Sequence, residues 1–415
     1  MQSLAGSLGR RSGEVPGRAP IHVLLVAVIV ALQGIEVSDS SSLLNTRLVW
    51  AAYPVCIGTL AASLGFALAQ GHAVAGWRAF ATDRLRRTAP VHAAAVLLAA
   101  FAIGPLVTNL GMRSYFSDPQ TYAYLLNLVA WPRFTLPGVF EFNNLSGIVN
   151  RNVWVAPIGL VLLVAACVGP DRRITKHAPI ALAAVVGLAA VTLEMSGVSS
   201  GDSSGPAAQF LRGDALSALL GGLIGIAAFR VRARVPSDRR LAAGAIAVVG
   251  ALAFFGNASW AASAWFRVIC APPIAYAALY LSMRRLPGAL AAPRLEPYLT
   301  GVFLFSFPLQ QLLIEEGPVR QNVFLNIAVG GSLALALALM LRRVVGWVLL
   351  GERRRGTAPV AAAGEGRPLP PRRRNGHVPL GPALAYFAVA AILILVCLGL
   401  MAMLYLAFQS DPGGI

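Results

Sequence analysis

Apolar residues run in long unbroken stretches separated by short polar ones, and neither the alternation of a half-buried strand nor the narrow stripe of a soluble helix governs the chain. A helix needs about 20 apolar residues to cross a hydrocarbon core. Stretches of that kind fall at 20–37, 49–70, 88–110, 153–170, 178–195, 213–230, 241–257, 263–282, 299–314, 322–345 and 382–408. They predict an all-α, polytopic membrane helix bundle of about ten core transmembrane helices, with one extra helix at the C-terminal side. No internal repeat is visible, so solenoids and propellers drop out.

Composition supports the same class. The 415 residues are 57% hydrophobic and 12% charged, whereas charged residues approach about a quarter of a soluble domain. A net charge of +17 would suggest nucleic acid if it were spread over a soluble surface. Here it is concentrated instead: Arg10/Arg11/Arg18, Arg78/Arg84/Arg86/Arg87, Arg172/Arg173/Lys176, Arg230/Arg232/Arg234/Arg239/Arg240, Arg284/Arg285/Arg294 and the run from Arg342 to Arg374 all fall in alternate loops. Only Arg47, Arg113, Arg133, Arg151, Arg212, Arg267 and Arg320 fall on the other side. Short cytoplasmic loops accumulate Lys and Arg, so the expected partner is the lipid bilayer of the cell's inner membrane, not nucleic acid. The N-terminus is expected in the cytoplasm and the C-terminus outside.

The chain then divides into a cytoplasmic segment 1–19, a transmembrane domain 20–350, a disordered basic linker 351–380 rich in Pro and Arg, and a last helix with its tail at 381–415. Basic residues before the first apolar stretch resemble a secretory signal, but "ALQGIEVSDS" offers no small-residue cleavage site. A retained anchor helix is expected. Cys56, Cys167, Cys270 and Cys397 each sit in an apolar run without ligand spacing, so no metal site is expected. "GVSSG" at 197–201 matches the letters of a nucleophile elbow but lies in a Ser/Gly loop rather than at a strand-to-helix turn.

The longest segment on the outer side, 111–152, combines Tyr115, Phe116, Tyr122, Tyr124, Trp131, Phe134, Phe140 and Phe142 with Asn127, Asn143, Asn144, Asn150 and Asn152. Rings beside amides suit the apolar face and hydroxyls of a sugar, and equally suit an aromatic belt capping a bundle.

Several stretches, in order, resemble the acyltransferase 3 family of integral membrane O-acyltransferases, which includes O-antigen and peptidoglycan acetylases. "FATDRLRRTAP" (80–90) is similar to that family's Arg-x-x-Arg before Pro, through Arg84, Arg87 and Pro90. "LPGVFEFNNLSGIVNRNVW" (136–154) resembles its outer-loop motif, through Asn150 and Trp154, and "YLTGVFLFSFPLQQLL" (298–313) resembles a late helix ending in Pro308 and Gln311. The resemblance implies transfer of an acyl group, usually acetyl, from cytoplasmic acyl-CoA to a hydroxyl of an extracytoplasmic cell-envelope glycan. No bound cofactor is implied, since acyl-CoA is the donor substrate. Arg84 and Arg87 would hold the CoA phosphates, and Asn150, Trp154 and Gln311 would lie on the acceptor side.

Proton transfer is where the chain departs from the family. The early His of the family falls on Gln33 and its acidic residue after the Trp falls on Gly159. Neither moves a proton, whereas a positioned base contributes roughly 10²- to 10⁴-fold. Glu36, on the face of Gln33, and His92 are the replacement candidates for catalysis, while His22, His72, His177 and His377 are expected to be solvated. Glu194, Glu315 and Glu316 are further ionisable residues near helix ends. Three expectations stand: an acyltransferase whose catalysis is impaired or relocated; as the alternative, a non-enzymatic relative that binds or exports polysaccharide or supports an active partner; and, third, a secondary transporter or channel, which would need intramembrane charges or broken helices in related positions of two halves.

Overall fold

In the computed structural model, residues 18–38, 47–168, 173–195, 214–284, 292–315 and 322–349 are described. Ten principal helices follow one another: α1 Arg18–Val37, α2 Arg47–Ala75, α3 Trp77–Leu98, α4 Val155–Cys167, α5 Arg173–Met195, α6 Asp214–Arg230, α7 Arg239–Phe255, α8 Ala264–Ser282, α9 Leu299–Glu315 and α10 Val323–Leu349. Among the described residues the only β structure is two isolated bridges. The protein is all-α, and helices occupy each of the first ten expected stretches. The eleventh stretch, the linker 351–380 and "GVSSG" lie outside the described residues.

Seven helical segments are long and apolar enough to cross a membrane: Arg18–Val37, Trp50–Ala73, Trp77–Val107, His177–Met195, Ala264–Ser282, Glu296–Glu315 and Val323–Val344. α4, α6 and α7 are shorter, at 13, 17 and 17 residues. The chain divides into two units, Met1–Ala338 and Leu339–Ile415; everything below concerns the first.

One boundary differs from expectation by several turns. The third apolar stretch begins at residue 88, yet α3 starts at Trp77 and carries Arg78, Arg84, Arg86 and Arg87 on regular helix. Ala, Leu and Arg propagate a helix well, and hydrophobicity alone cannot see a polar extension. Beyond Leu98 the helix passes through a π turn, Ala99–Ile103, into Gly104–Val107. The Tyr115 hydroxyl enters there and donates to the Ala100 carbonyl at 2.7 Å, which accounts for the local widening.

α2 and α6 pack backbone to backbone. A β-carbon added at Gly221 would collide with the Gly58 carbonyl, one at Gly65 with Gly222, and one at Gly225 with Ala62. Small residues permit this approach, and the helices gain close van der Waals contact that lipid cannot supply. α1 and α9 run parallel: Glu296, just before α9, meets Arg18; Ser306 meets Gln33; Ile314 joins Val37 in one apolar cluster.

The segment between α3 and α4 folds back into the bundle. Residues 112–129 descend along α3, with Tyr115 bonded at Ala100 and the Asn127 carbonyl accepting from His92 Nε2 at 2.9 Å. Residue 92 lies 15 positions before the end of the helix at Val107, a rise of roughly 22 Å. The chain then climbs until Val139 pairs with Thr108, and returns with Thr135 paired to Ile148. Irregular backbone at such depth needs its polar groups covered by protein. Asn127 does much of this, donating to the Tyr124 and Arg133 carbonyls at 2.8 and 2.9 Å and accepting from Arg133 N at 3.0 Å.

Candidate functional site

Two polar centres lie on α1, around Gln33 and around His22. The positions are 11 residues apart, or about 16 Å of helical rise. α2 serves both, through Tyr53 at one and Ser63 at the other.

At the first centre, Gln33 is fully buried and its amide is fully engaged. Nε2 donates to Tyr53 Oη at 2.8 Å and to Asn152 Oδ1 at 3.1 Å, while Ser306 Oγ donates to Oε1 at 2.8 Å. Asn152 in turn donates to the Phe303 carbonyl at 2.5 Å. One turn further along α1, Glu36 is ion-paired to Arg151 Nη1. Arg151 Nε donates to Asp214 Oδ2 at 2.8 Å, and its guanidinium lies 4.6 Å from the centre of the Tyr53 ring. Asp214 is also within electrostatic reach of Arg267. Buried charges of opposite sign compensate each other here.

The expected acceptor-side residues are all drawn into this framework. Asn150 is fully buried, donates to the Leu304 carbonyl at 3.0 Å and caps the 3-10 turn Arg151–Trp154 by accepting from Asn152 N. Gln311 accepts from Asn143 Nδ2 at 2.8 Å and donates to the Ile148 carbonyl at 3.2 Å. Trp154 packs edge-on against Phe303 at 5.8 Å, and its Nε1–H is buried without a hydrogen-bond partner among the described residues. Gly159 faces outward with open space where a side chain would project. Of the aromatic residues in 111–152, Tyr115, Tyr124 and Phe140 are core, while Phe116, Tyr122, Trp131 and Phe142 are exposed. Burial pushes the Tyr115 and Tyr124 phenols up from their ordinary range.

The second centre was not expected. His22 is 2% exposed, which corrects its reading as a solvated residue: Ser63 of α2 and Glu296 in the turn before α9 lie against its ring. Its Nε2 lies 2.5 Å from Ser63 Oγ and its Nδ1 lies 3.5 Å from Glu296 Oε1. Ser63 is equally buried, and its hydroxyl also has the Leu60 carbonyl within reach at 2.9 Å. Arg18, one turn before His22, donates from Nε to Glu296 Oε1 at 2.9 Å. Exposure rises towards the helix start, to 28% for the Glu296 side chain and 32% for Arg18, so the centre is open at its charged end and closed at Ser63. The signal available in the sequence was an ionisable residue inside an apolar span.

Arg84 belongs to this second centre. Its guanidinium stands 5.8 Å from the Phe80 ring and acts electrostatically on His22 and is acted on by Arg18 and Glu296. Arg87 turns outward, more than half exposed, and binds Asp83 at 3.0 Å. His92 is not at the exposed start of α3 with these arginines: it is buried, and held by the Asn127 carbonyl of the re-entrant segment. Glu194 lies at neither centre and caps α8, accepting from Ala264 N at 2.5 Å. Among the described residues no group of three or more His, Cys, Asp or Glu could hold a metal ion. Family models, curated proteins and solved structures were all compared with this chain, and none matches.

Proposed function

We propose that the protein is an integral membrane O-acyltransferase that takes an acyl group, most simply acetyl, from acyl-CoA in the cytoplasm and delivers it to a hydroxyl of a cell-envelope glycan outside. In this reading the ten helices are the core of the domain in the inner membrane, with the start of α1 in the cytoplasm. The observation that carries it is the buried imidazole of His22, held between a serine hydroxyl and a carboxylate, with Arg18 on that carboxylate and Arg84 within electrostatic reach. Acyl transfer from CoA needs a proton acceptor near cations that hold phosphate. Both needs meet at this end of α1, although Gln33 and Gly159 cannot meet the first. Glu36, tied to Arg151, and His92, bonded to the re-entrant segment, supply the framework and leave proton transfer to His22.

The path across the membrane is shortened by the fold. The segment before α4 brings Asn150 to Trp154 down to the level of Phe303 and Leu304 on α9, so about 15 Å of α2 separates Tyr53 from Ser63. The test is transfer by the full chain in lipid nanodiscs, with labelled acetyl-CoA and envelope polysaccharide. Label on the glycan and release of free CoA are expected, with KM for the donor raised about tenfold by Arg84→Ala and less by Arg87→Ala. Absence of CoA release with any acyl donor would refute the assignment. One observation favours the second reading, a non-enzymatic relative that binds or exports polysaccharide or supports an active partner: the centre around Gln33 is a saturated network of amides and ion pairs with no free base.

A further inference from the structure

The mutual arrangement of Ser63, His22 and Glu296 has the connectivity of a nucleophile, a base and an orienting carboxylate. The nucleophile–base contact is 2.5 Å to Nε2, and the carboxylate faces the other ring nitrogen at 3.5 Å. When Glu296 receives Nδ1–H, Nε2 is left as an acceptor for the Ser63 hydroxyl, and the proton choice follows from these partners. The three residues come from α1, α2 and the turn before α9, so nothing in local sequence requires them to meet. A buried ionisable group in a membrane span is costly and marks function by default. The Ser63 hydroxyl has one proton and two acceptors in reach, the Leu60 carbonyl at 2.9 Å and His22 Nε2 at 2.5 Å, so it turns from the first to the second when it attacks, and the centre opens at Arg18 and Glu296.

We infer that Ser63 is the acyl-carrying nucleophile of the protein, forming an ester with the acyl group of acyl-CoA before the acceptor receives it. This rests on the acyl-transfer reading above. Ser63 Oγ attacks the thioester carbonyl as its proton passes to His22 Nε2. The C–S bond breaks, and the CoA sulfur takes that proton and leaves as the free thiol. An acceptor hydroxyl then attacks the Ser63 ester through the same base, its proton passing by way of His22 to Ser63 Oγ. The sequence of steps is redox-neutral and consumes no further reactant. Glu296 acts through His22 and is a positioning residue; Arg18 holds Glu296 in turn.

The experiment uses the full chain in nanodiscs, labelled acetyl-CoA without acceptor, an acid quench, and peptide mass spectrometry. The expected result is acetyl on the peptide containing Ser63, released by alkaline hydroxylamine as an ester is. Ser63→Ala abolishes it, His22→Gln slows its formation by about 10²-fold or more, and Glu296→Gln slows it with little change in KM for acetyl-CoA. Ser63→Cys guards against mere loss of folding: it retains the label as a thioester, now released by neutral hydroxylamine, a chemical change that a structural serine would not produce. If wild-type protein acylates the glycan while Ser63 stays unlabelled and Ser63→Ala remains active, transfer is direct, and this inference fails while the acyltransferase reading stands. If no CoA is released by wild-type protein with any acyl donor, the acyltransferase reading fails and takes the inference with it.

Discussion

Arg151 is the keystone of the centre around Gln33, and replacing it by methionine tests the energetic account of the bundle. Methionine keeps much of the stem's volume and removes only the guanidinium. Two carboxylates lose the guanidinium that they bind: Asp214, whose side chain is 4% exposed and which keeps only the more distant charge of Arg267, and Glu36, at 18%. Breaking a buried ion pair by removing one partner costs about 3–5 kcal/mol. At 1.4 kcal/mol per decade, that is roughly two to three and a half orders of magnitude in the folding equilibrium. Water reaches Glu36 more readily than Asp214, so most of the loss comes from Asp214. Reversible unfolding in mixed micelles with increasing SDS reads this directly. Asp214→Asn is expected to cost more than Glu36→Gln, and Arg151→Met combined with Asp214→Asn less than the two single changes together by about 1 kcal/mol or more, as coupled neighbours do. A loss below about 1 kcal/mol for Arg151→Met, or strict additivity in the double variant, would refute the view that this network holds α1, α2, the turn before α4 and α6 together.

Other changes probe other parts of the structure. Gly225→Val drives a side chain into the Ala62 backbone and should cost at least the 1–3 kcal/mol typical of overpacking, whereas Gly244→Ala, with open space beside it, should be neutral or stabilise by about 0.5–1 kcal/mol; SDS unfolding compares them, and equal effects would rule out backbone contact between α2 and α6. Asn127→Ala strips three hydrogen bonds from the re-entrant segment, so limited proteolysis should cut between residues 112 and 133 well before it cuts wild-type protein; unchanged protection would mean that the segment is held by its apolar contacts alone. Alkaline phosphatase fused after residue 80 should be inactive and after residue 120 active, and the same result at both would overturn the donor and acceptor assignment. Arg84→Ala should weaken acetyl-CoA binding more than Arg87→Ala, measured by equilibrium dialysis, because Arg87 is committed to Asp83 at the exposed face.

The first ten helices were legible because each is an apolar run bounded by charge or by Pro and Gly, and burial in lipid or protein selects for that pattern over a whole window. The polar start of α3 was not, since a helix projecting past the hydrocarbon carries no hydrophobic signal. Glu36 and Gln33 could be paired by their spacing on α1, and the structure does bring them to consecutive residues, Arg151 and Asn152. Asn150 and Gln311 were singled out through the resemblance, and motif positions alone could not show that protein carbonyls would occupy their donors. His22 was misplaced because it stands at the edge of the expected first span beside a basic segment, which suggested access to water, whereas Ser63 and Glu296 cover it there. Ser63 had no signal of its own. Its meaning comes from a partner 41 positions away and a carboxylate 233 positions further along, a relation set by the parallel packing of α1 with α9.

The glycine-lined contact between α2 and α6 has a mechanical implication. Two backbones that touch have no side chains to yield, so the pair behaves as a single stiff plate. α1 meets that plate through polar side chains instead, His22 on Ser63 and Gln33 on Tyr53. A force on the bundle is therefore taken up by the side chains along α1 before it parts the backbones of α2 and α6.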